Sequence, residues 1–242
     1  MSKIVILGGT GMLGHQLFKY GNQLSLDVEA IVRNKKLIVK KTSRTFDDKI
    51  HILDEVKEIN QLEGLLREIK PDFLINCIGI VKQSPLTSNY AESIAINSLL
   101  PHQLEGLGVK LGFRLIHIST DCVFDGQKGM YKETDQPNAI DLYGKSKHLG
   151  EVNYGVGITL RTSIIGHEIT NSTHGLIEWF LSQEGKVNGF TKAIFSGLTT
   201  LELSKVIFNY IIPSNIEAGL YQVASNAINK FDLLSLTAKI YK

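Results

Sequence analysis

Hydrophobic positions in this chain gather into short, nearly unbroken apolar runs separated by longer stretches of mixed character. The runs are Lys3 to Leu7, Val28 to Val32, Ile50 to Leu53, Phe73 to Cys77, Arg114 to Ser119, Gly157 to Arg161 and Gly219 to Val223. Most lack the in–out alternation of a sheet with one wet face, so they predict strands buried on both sides, as in a parallel sheet covered by helices. Between them, Ile59, Leu62, Leu65, Leu66 and Ile69 recur at helical spacing, and Lys70-Pro71-Asp72 stops that helix before the next run. Alternation of strand and helix from residue 3 to about residue 162 predicts an α/β fold built on a doubly wound parallel sheet.

The texture changes after Ile165. Strand-like runs become sparser, and Trp179, Phe180, Phe190 and Phe195 bring in aromatic residues that the first half mostly lacks. Thr199-x-x-Glu202, ahead of Leu203, Val206, Ile207 and Tyr210, predicts a helix opened by a capping box. Lys230 to Ile240 reads as a final helix.

Composition narrows the class of protein. Of 242 residues, 43% are hydrophobic, enough for a sizeable core, and 26 basic against 24 acidic residues leave a formal charge of +2. No strong field results, so neither nucleic acid nor membrane is an expected partner. The apolar run Ile4 to Leu7 is too short for a signal peptide or a membrane span, and a cytoplasmic location is expected. Two cysteines, Cys77 and Cys122, are too few for a disulfide scaffold, and no Cys/His spacing suits a metal.

Directly after the first run stands Gly8-Gly9-Thr10-Gly11-Met12-Leu13-Gly14, leading into the helical pattern Leu13, Leu17, Phe18. Glycines there let a strand turn sharply into a helix whose N-terminal N–H groups can hold a pyrophosphate. A tight turn with no ligand is the plainer reading, but the position after the first strand favours a dinucleotide. At the end of the second run, Val32-Arg33-Asn34 offers a guanidinium where an acid would bind the ribose 2′-hydroxyl of NAD. Arg33 suits a 2′-phosphate, so NADPH is the expected cofactor, with NADH left open and a solvated surface arginine as the alternative.

Ser119-Thr120-Asp121 leaves the fifth run, and Tyr143 and Lys147 follow about 20 residues later, one helical turn apart. A free phenol has a pKa of about 10, and a neighbouring ammonium favours the phenolate. Tyr143 is thus the expected proton donor, Lys147 its electrostatic partner and a ribose ligand, and Thr120 the hydrogen-bond donor to a carbonyl oxygen. Taken alone, a Tyr-x-x-x-Lys is also what an aromatic beside a surface lysine looks like.

The glycine turn, Asn76-Cys77-Ile78-Gly79, Ser119 to Gly126, Tyr143 to Lys147 and Leu160-Arg161-Thr162-Ser163 together resemble the extended short-chain dehydrogenases, most closely the dTDP-4-dehydrorhamnose reductase family. The resemblance implies a Rossmann domain over 1–165 and a small substrate-binding region over 166–242, interleaved with the first and incomplete at its end. It implies Thr120, Tyr143 and Lys147 as the catalytic set and Gly8, Thr10, Gly11, Met12, Leu13 and Gly14 as the pyrophosphate turn. By the same resemblance Cys77, Ile78 and Gly79 pass along the cofactor, Glu55 and Val56 lie near the adenine, and Thr162-Ser163 approaches the nicotinamide.

The implied reaction is reduction of the 4-keto group of a UDP- or dTDP-linked deoxysugar for surface-polysaccharide synthesis, by an enzyme that can pair as a homodimer. Three departures stand out: Cys122 where the family has tyrosine, Glu55 where it has aspartate, and a length some 40 residues short of the family's, as judged from the resemblance. An epimerase or dehydratase of the same fold, and a non-catalytic cofactor-binding regulatory subunit, are the alternatives. His174, Trp179 and Arg161 are further candidates for nucleotide or sugar contact, against plain packing or ion pairing. Lys186, Lys192, Phe195 and Thr199 lie where the nucleotide should be covered, and Asn97 is expected to order backbone or water near Lys147.

Overall fold

The computed structural model describes residues 2–34, 48–84, 88–169 and 175–241. Its first half runs β1 (Lys3–Leu7), α1 (Met12–Gln23), β2 (Asp27–Val32), β3 (Ile50–Ile52), α2 (Ile59–Ile69) and β4 (Phe73–Asn76). A composite helix follows, with an α-helical turn Tyr90–Ser93, a π-helical stretch Ile94–Leu99 and the α-helix α3 (Leu100–Leu111). Next come β5 (Arg114–Thr120), a 3₁₀ turn Asp121–Val123, α4 (Leu142–Leu149), β6 (Gly157–Thr162) and the short β7 (Ile164–Ile165). The remainder comprises α5 (Leu176–Leu181), β8 (Ile194–Phe195), β9 (Leu198–Thr199), α6 (Thr200–Val206) running into a π-helical turn Ile207–Ile211, β10 (Gly219–Gln222), β11 (Ile228–Asn229) and α7 (Lys230–Tyr241).

All seven apolar runs enter one sheet, in the order β10-β6-β5-β4-β1-β2-β3, and every pairing within it is parallel. The unbroken character of the runs has a direct cause. In β1, Ile4 and Ile6 point into one core with Leu17 and Phe18 of α1 and Leu203 and Phe208 of the α6 segment, whereas Val5 and Leu7 point into a second core with Leu62 and Leu66 of α2 and Leu104 of α3. With both faces covered, no position on the strand is left for a polar residue, and each fully buried aliphatic side chain contributes roughly 1.5–3 kcal/mol.

Lys70 closes α2 in the left-handed conformation, its N–H bonded to Leu66 O, and Pro71 then bars continuation. Thr199 caps α6 as expected, accepting from Glu202 N at 3.1 Å, but the Glu202 carboxylate turns to Lys205 at 3.1 Å.

Sheet order places the site. Chain connections run outward in both directions from β1, so the boundary between β1 and β4 is the switch point, and the segments leaving their carboxyl ends are parted into a crevice. Gly8, Arg33, Cys77, Thr120 and Thr162 all sit at or just beyond that edge. Among the described residues no helix is long and apolar enough to cross a membrane, and no group of His, Cys, Asp or Glu could hold a metal ion.

Candidate active site

Close backbone packing shapes the turn after β1. The N–H groups of Gly8 and Gly9 both donate to Ile31 O, at 3.1 and 3.2 Å, and Gly11 N donates to Gly8 O at 3.0 Å. Gly8 has φ of +91°, and a Cβ there would stand 2.9 Å from Ile78 Cγ1. A Cβ on Gly14 would lie 2.2 Å from Gly8 O, so only glycine lets the first turn of α1 sit on the loop. Gly11 caps α1 without a side chain, and no acid occupies the first helical turn, so the positive end of the helix is left for an anion. Leu13 is buried in the core, which anchors the helix, while the Met12 methyl reaches Gly175 at the start of α5: a Cβ added there would be 2.6 Å from it.

Arg33 is exposed just past β2, and Thr10 is half-buried within the turn. Leu53 N donates to Val32 O at 3.0 Å, which brings the segment after β3 alongside. There Val56 is buried in the second core, and the exposed Glu55 meets Lys57, whose N–H donates to Oε1 at 3.2 Å. Cys77 N donates to Leu7 O at 2.9 Å, so Cys77, Ile78 and Gly79 leave β4 beside the glycine turn. Burial pushes the Cys77 thiol up to about 12 against an opposing pull from Lys147.

Two helix features bring the polar set together. Asp141 caps α4 by accepting from Gly144 N at 2.9 Å, and a Cβ on Gly144 would lie 2.3 Å from Cys122 O. The helix therefore packs flush on the 3₁₀ turn that follows Thr120. The Thr120 hydroxyl acts on the Tyr143 phenol, favouring its ionised form, while Thr120 Oγ1 donates to Asp121 Oδ1 at 3.3 Å and accepts from Cys122 N at 3.1 Å. Thr162 on β6 is paired in register with Thr120, which places Thr162-Ser163 beside the same edge.

Electrostatics here depart from the sequence-based expectation. Burial raises the Tyr143 phenol to about 12, with Thr120 opposing and Cys122, Asp121 and Asp141 reinforcing. Lys147 does not depress it because its Nζ is turned away, donating to Ile118 O at 2.7 Å and lying 3.3 Å from His117 Nε2. Lys147 is itself buried, 4% exposed, and burial brings it down to about 8 although Glu151 and Cys77 pull it up.

Three polar residues near this set were given no role of their own from the sequence. His117 and Asn76 stand in fully buried strand positions, and Glu151 anchors a network below them. The available signal was a lone polar residue inside an apolar run: His117 between Ile116 and Ile118, and Asn76 after Leu74-Ile75. Asn97 does order backbone, accepting from Ile80 N at 2.8 Å and donating to Ile80 O at 3.0 Å and to Ser146 Oγ at 3.1 Å.

Arg161 makes the ion pair that was its plainer reading. Nε and Nη2 both bond Glu151, each at 2.7 Å, beneath the Phe124 ring. Trp179 is partly exposed on α5, Lys186 and Lys192 are exposed, Phe195 lies in the β8–β11 pair, and His174 lies outside the described residues.

Comparison with known proteins matches residues 2–165 to the family model described as the RmlD substrate binding domain. Over 150 residues the chain is 31% identical to methionine adenosyltransferase 2 subunit beta of Danio rerio, covering 62% of this chain and 42% of that protein. It is 30% identical over 154 residues to dTDP-4-dehydrorhamnose reductase of Mycobacterium tuberculosis, covering 62% and 44% respectively. The aligned segment thus spans less than half the length of these curated relatives. Among solved structures, that of dTDP-4-dehydrorhamnose reductase from Bacillus anthracis in complex with NADP superposes with a TM-score of 0.78 at 22% identity, over 99% of this chain and 80% of that one.

Proposed function

The chain belongs to the RmlD substrate-binding-domain family, and from that premise we propose that it is an NADPH-dependent reductase of the 4-keto group of a nucleotide-linked deoxysugar. The observation that supports this reading best is Thr120 at the carboxyl edge of the sheet acting on the buried Tyr143 phenol, with Lys147 held on Ile118 O one turn further along α4, beside a glycine turn with no room for a side chain at Gly8 and Gly14.

The residues present fit a dinucleotide. Gly8 to Gly14 and the uncapped start of α1 would hold the pyrophosphate, Arg33 the 2′-phosphate, and Cys77 to Gly79 the flank of the carrier, with Glu55 and Val56 toward the base. NADPH, when bound, supplies hydride. The chain's own part is proton and position. A phenol raised to about 12 keeps its proton at neutral pH, so Tyr143 Oη is a donor rather than a base. Thr120 Oγ1, which acts on that phenol, would orient the same carbonyl oxygen, so that charge developing there would meet two hydroxyl donors. Trp179 and the Lys186 to Thr199 segment would cover the nucleotide.

NADPH oxidation on a panel of 4-keto UDP- and dTDP-sugars tests the reading, with Tyr143→Phe alongside. Turnover of one sugar, lost about 10²-fold or more in the Phe variant, is expected; a Phe variant at full rate would overturn the acid assignment. In Arg33→Asp, preference should shift from NADPH toward NADH, and unchanged selectivity would reject the 2′-phosphate contact.

A second reading rests on the likeness to methionine adenosyltransferase 2 subunit beta, which covers as much of the chain as the reductase match does. As a cofactor-binding regulatory subunit the protein would bind NADPH and turn over no keto-sugar on the panel. Retention of Thr120, Tyr143 and Lys147 in the sequence favours the reductase.

A further inference from the structure

The residues beneath Lys147 form a chain of hydrogen bonds whose donor and acceptor roles are set together. Ile78 N donates to Asn76 Oδ1 at 3.0 Å, which sets the Asn76 amide and turns its Nδ2–H₂ toward His117 Nδ1, 3.1 Å away. An amide N–H can only donate, so Nδ1 must accept. His117 is fully buried, and burial together with Lys147 and His102 holds it neutral, well below the ordinary imidazole range. Its one proton is then on Nε2, which faces Lys147 Nζ at 3.3 Å. An N–H directed at nitrogen is accepted by a neutral amine, which has a lone pair, and opposed by an ammonium, which has none.

We propose that His117 is a positioning residue for Lys147: with its tautomer coupled to the orientation of the Asn76 amide, it holds the amine on Ile118 O and ties its charge state to the Asn76 amide and the Ile78 N–H. Two arrangements satisfy every group on the inner side. With Lys147 neutral, Nε2–H donates to Nζ, Asn76 Nδ2 donates to Nδ1, and Asn76 Oδ1 serves Ile78. With Lys147 charged, Nζ donates to Nε2, the imidazole proton moves to Nδ1, the Asn76 amide turns over to accept it, and Ile78 N–H is released at the edge of the crevice. No atom is lost or gained except the proton that Lys147 takes from solvent.

The groups near Lys147 are His117 on β5, Cys77 after β4 and Glu151 just past α4; Tyr143 stands one turn earlier on α4, neutral Asn97 from the composite helix shares the surroundings of Gly79 with Lys147, and His102 of α3 acts on His117. Glu151 and Cys77 favour the ammonium and burial disfavours it, so the balance is close enough for a tautomer to decide. This rests on Lys147 being part of the proposed site, but the arrangement is testable without any substrate.

The test is long-range ¹H–¹⁵N NMR of His117 in the full chain between pH 6 and 10, where the two ring nitrogens differ in shift according to which carries the proton. In the wild-type protein, Nε2–H is expected above the Lys147 titration, near pH 8, and Nδ1–H below it. Lys147→Met should fix Nε2–H at every pH, and Asn76→Asp, which offers only acceptors, should fix Nδ1–H. A wild-type imidazole that shows one tautomer throughout, or becomes doubly protonated above pH 6, would overturn the coupling, and that result stands even if either variant fails to fold. Turnover on the keto-sugar panel decides the reductase reading separately, since a tautomer switch in a protein that reduces nothing would leave this inference standing.

Discussion

Glu151→Gln is the perturbation whose size follows most directly from the structure. The Glu151 carboxylate, 6% exposed, takes both Nε and Nη2 of Arg161, 2% exposed, at 2.7 Å each, and also accepts from Ser119 Oγ at 2.9 Å. Arg161 Nη1 is already buried without a partner, so this guanidinium has no second anion to fall back on in the network. Glutamine keeps the shape but removes the charge and turns an N–H₂ toward another donor. Breaking such a buried pair costs about 3–5 kcal/mol. For a chain of this size that lowers Tm by on the order of 10 °C. Urea unfolding followed by circular dichroism gives the loss directly from the midpoint at constant slope. Replacing both partners, as Glu151→Leu with Arg161→Met, should recover most of the stability, because the cost lies in the stranded charge and not in the lost bond. A loss under about 1 kcal/mol in the single variant, or a double variant no better than the single, would show that no stranded charge is left behind.

Gly14→Ala should leave the core intact but weaken NADPH binding by at least about tenfold, or about 1.4 kcal/mol, because a Cβ 2.2 Å from Gly8 O must push α1 off its loop; fluorescence titration with wild-type affinity would contradict this. Lys147 holds its proton less tightly folded than unfolded, about 8 against 10.5, so its penalty is complete below pH 8 and lifts as pH rises toward 10.5. Cys77 and Tyr143, both raised to about 12, act in the opposite sense above their unfolded values of 9.0 and 10.0, so the lysine must be isolated by difference. Wild-type stability relative to Lys147→Met should therefore climb by about 1 kcal/mol between pH 8 and pH 9, and a flat difference in urea midpoints would show that burial does not depress this amine.

Much of the architecture was legible because its cause is local. A strand covered on both faces is apolar at most positions, and buried exceptions such as Asn76, His117 and Arg161 are paired, so seven runs announced seven parallel strands, and the ends shifted by only a residue or so, as at Asp27 and Thr120. The glycine turn was equally readable, since a Cβ at Gly14 would strike the Gly8 carbonyl and Gly8 has a positive φ, constraints that write themselves into composition. Tyr143 and Lys147 shared a helical turn by spacing alone.

What spacing could not supply is where a side chain points once the helix is packed. One turn apart on α4, Lys147 reaches inward to Ile118 O while Tyr143 meets Thr120, so the expected lowering of the phenol gives way to burial. Arg161 belonged to Glu151 rather than to a ligand, a pairing across ten residues that turns on β6 running alongside the segment after α4. His117 and Asn76 meet only because β4 and β5 are neighbours, 41 positions apart in sequence. Periodicity and steric exclusion act along the chain and are therefore read from it. Desolvation and hydrogen-bond direction depend on what lies across the sheet, and those were decided only when the strands took their order.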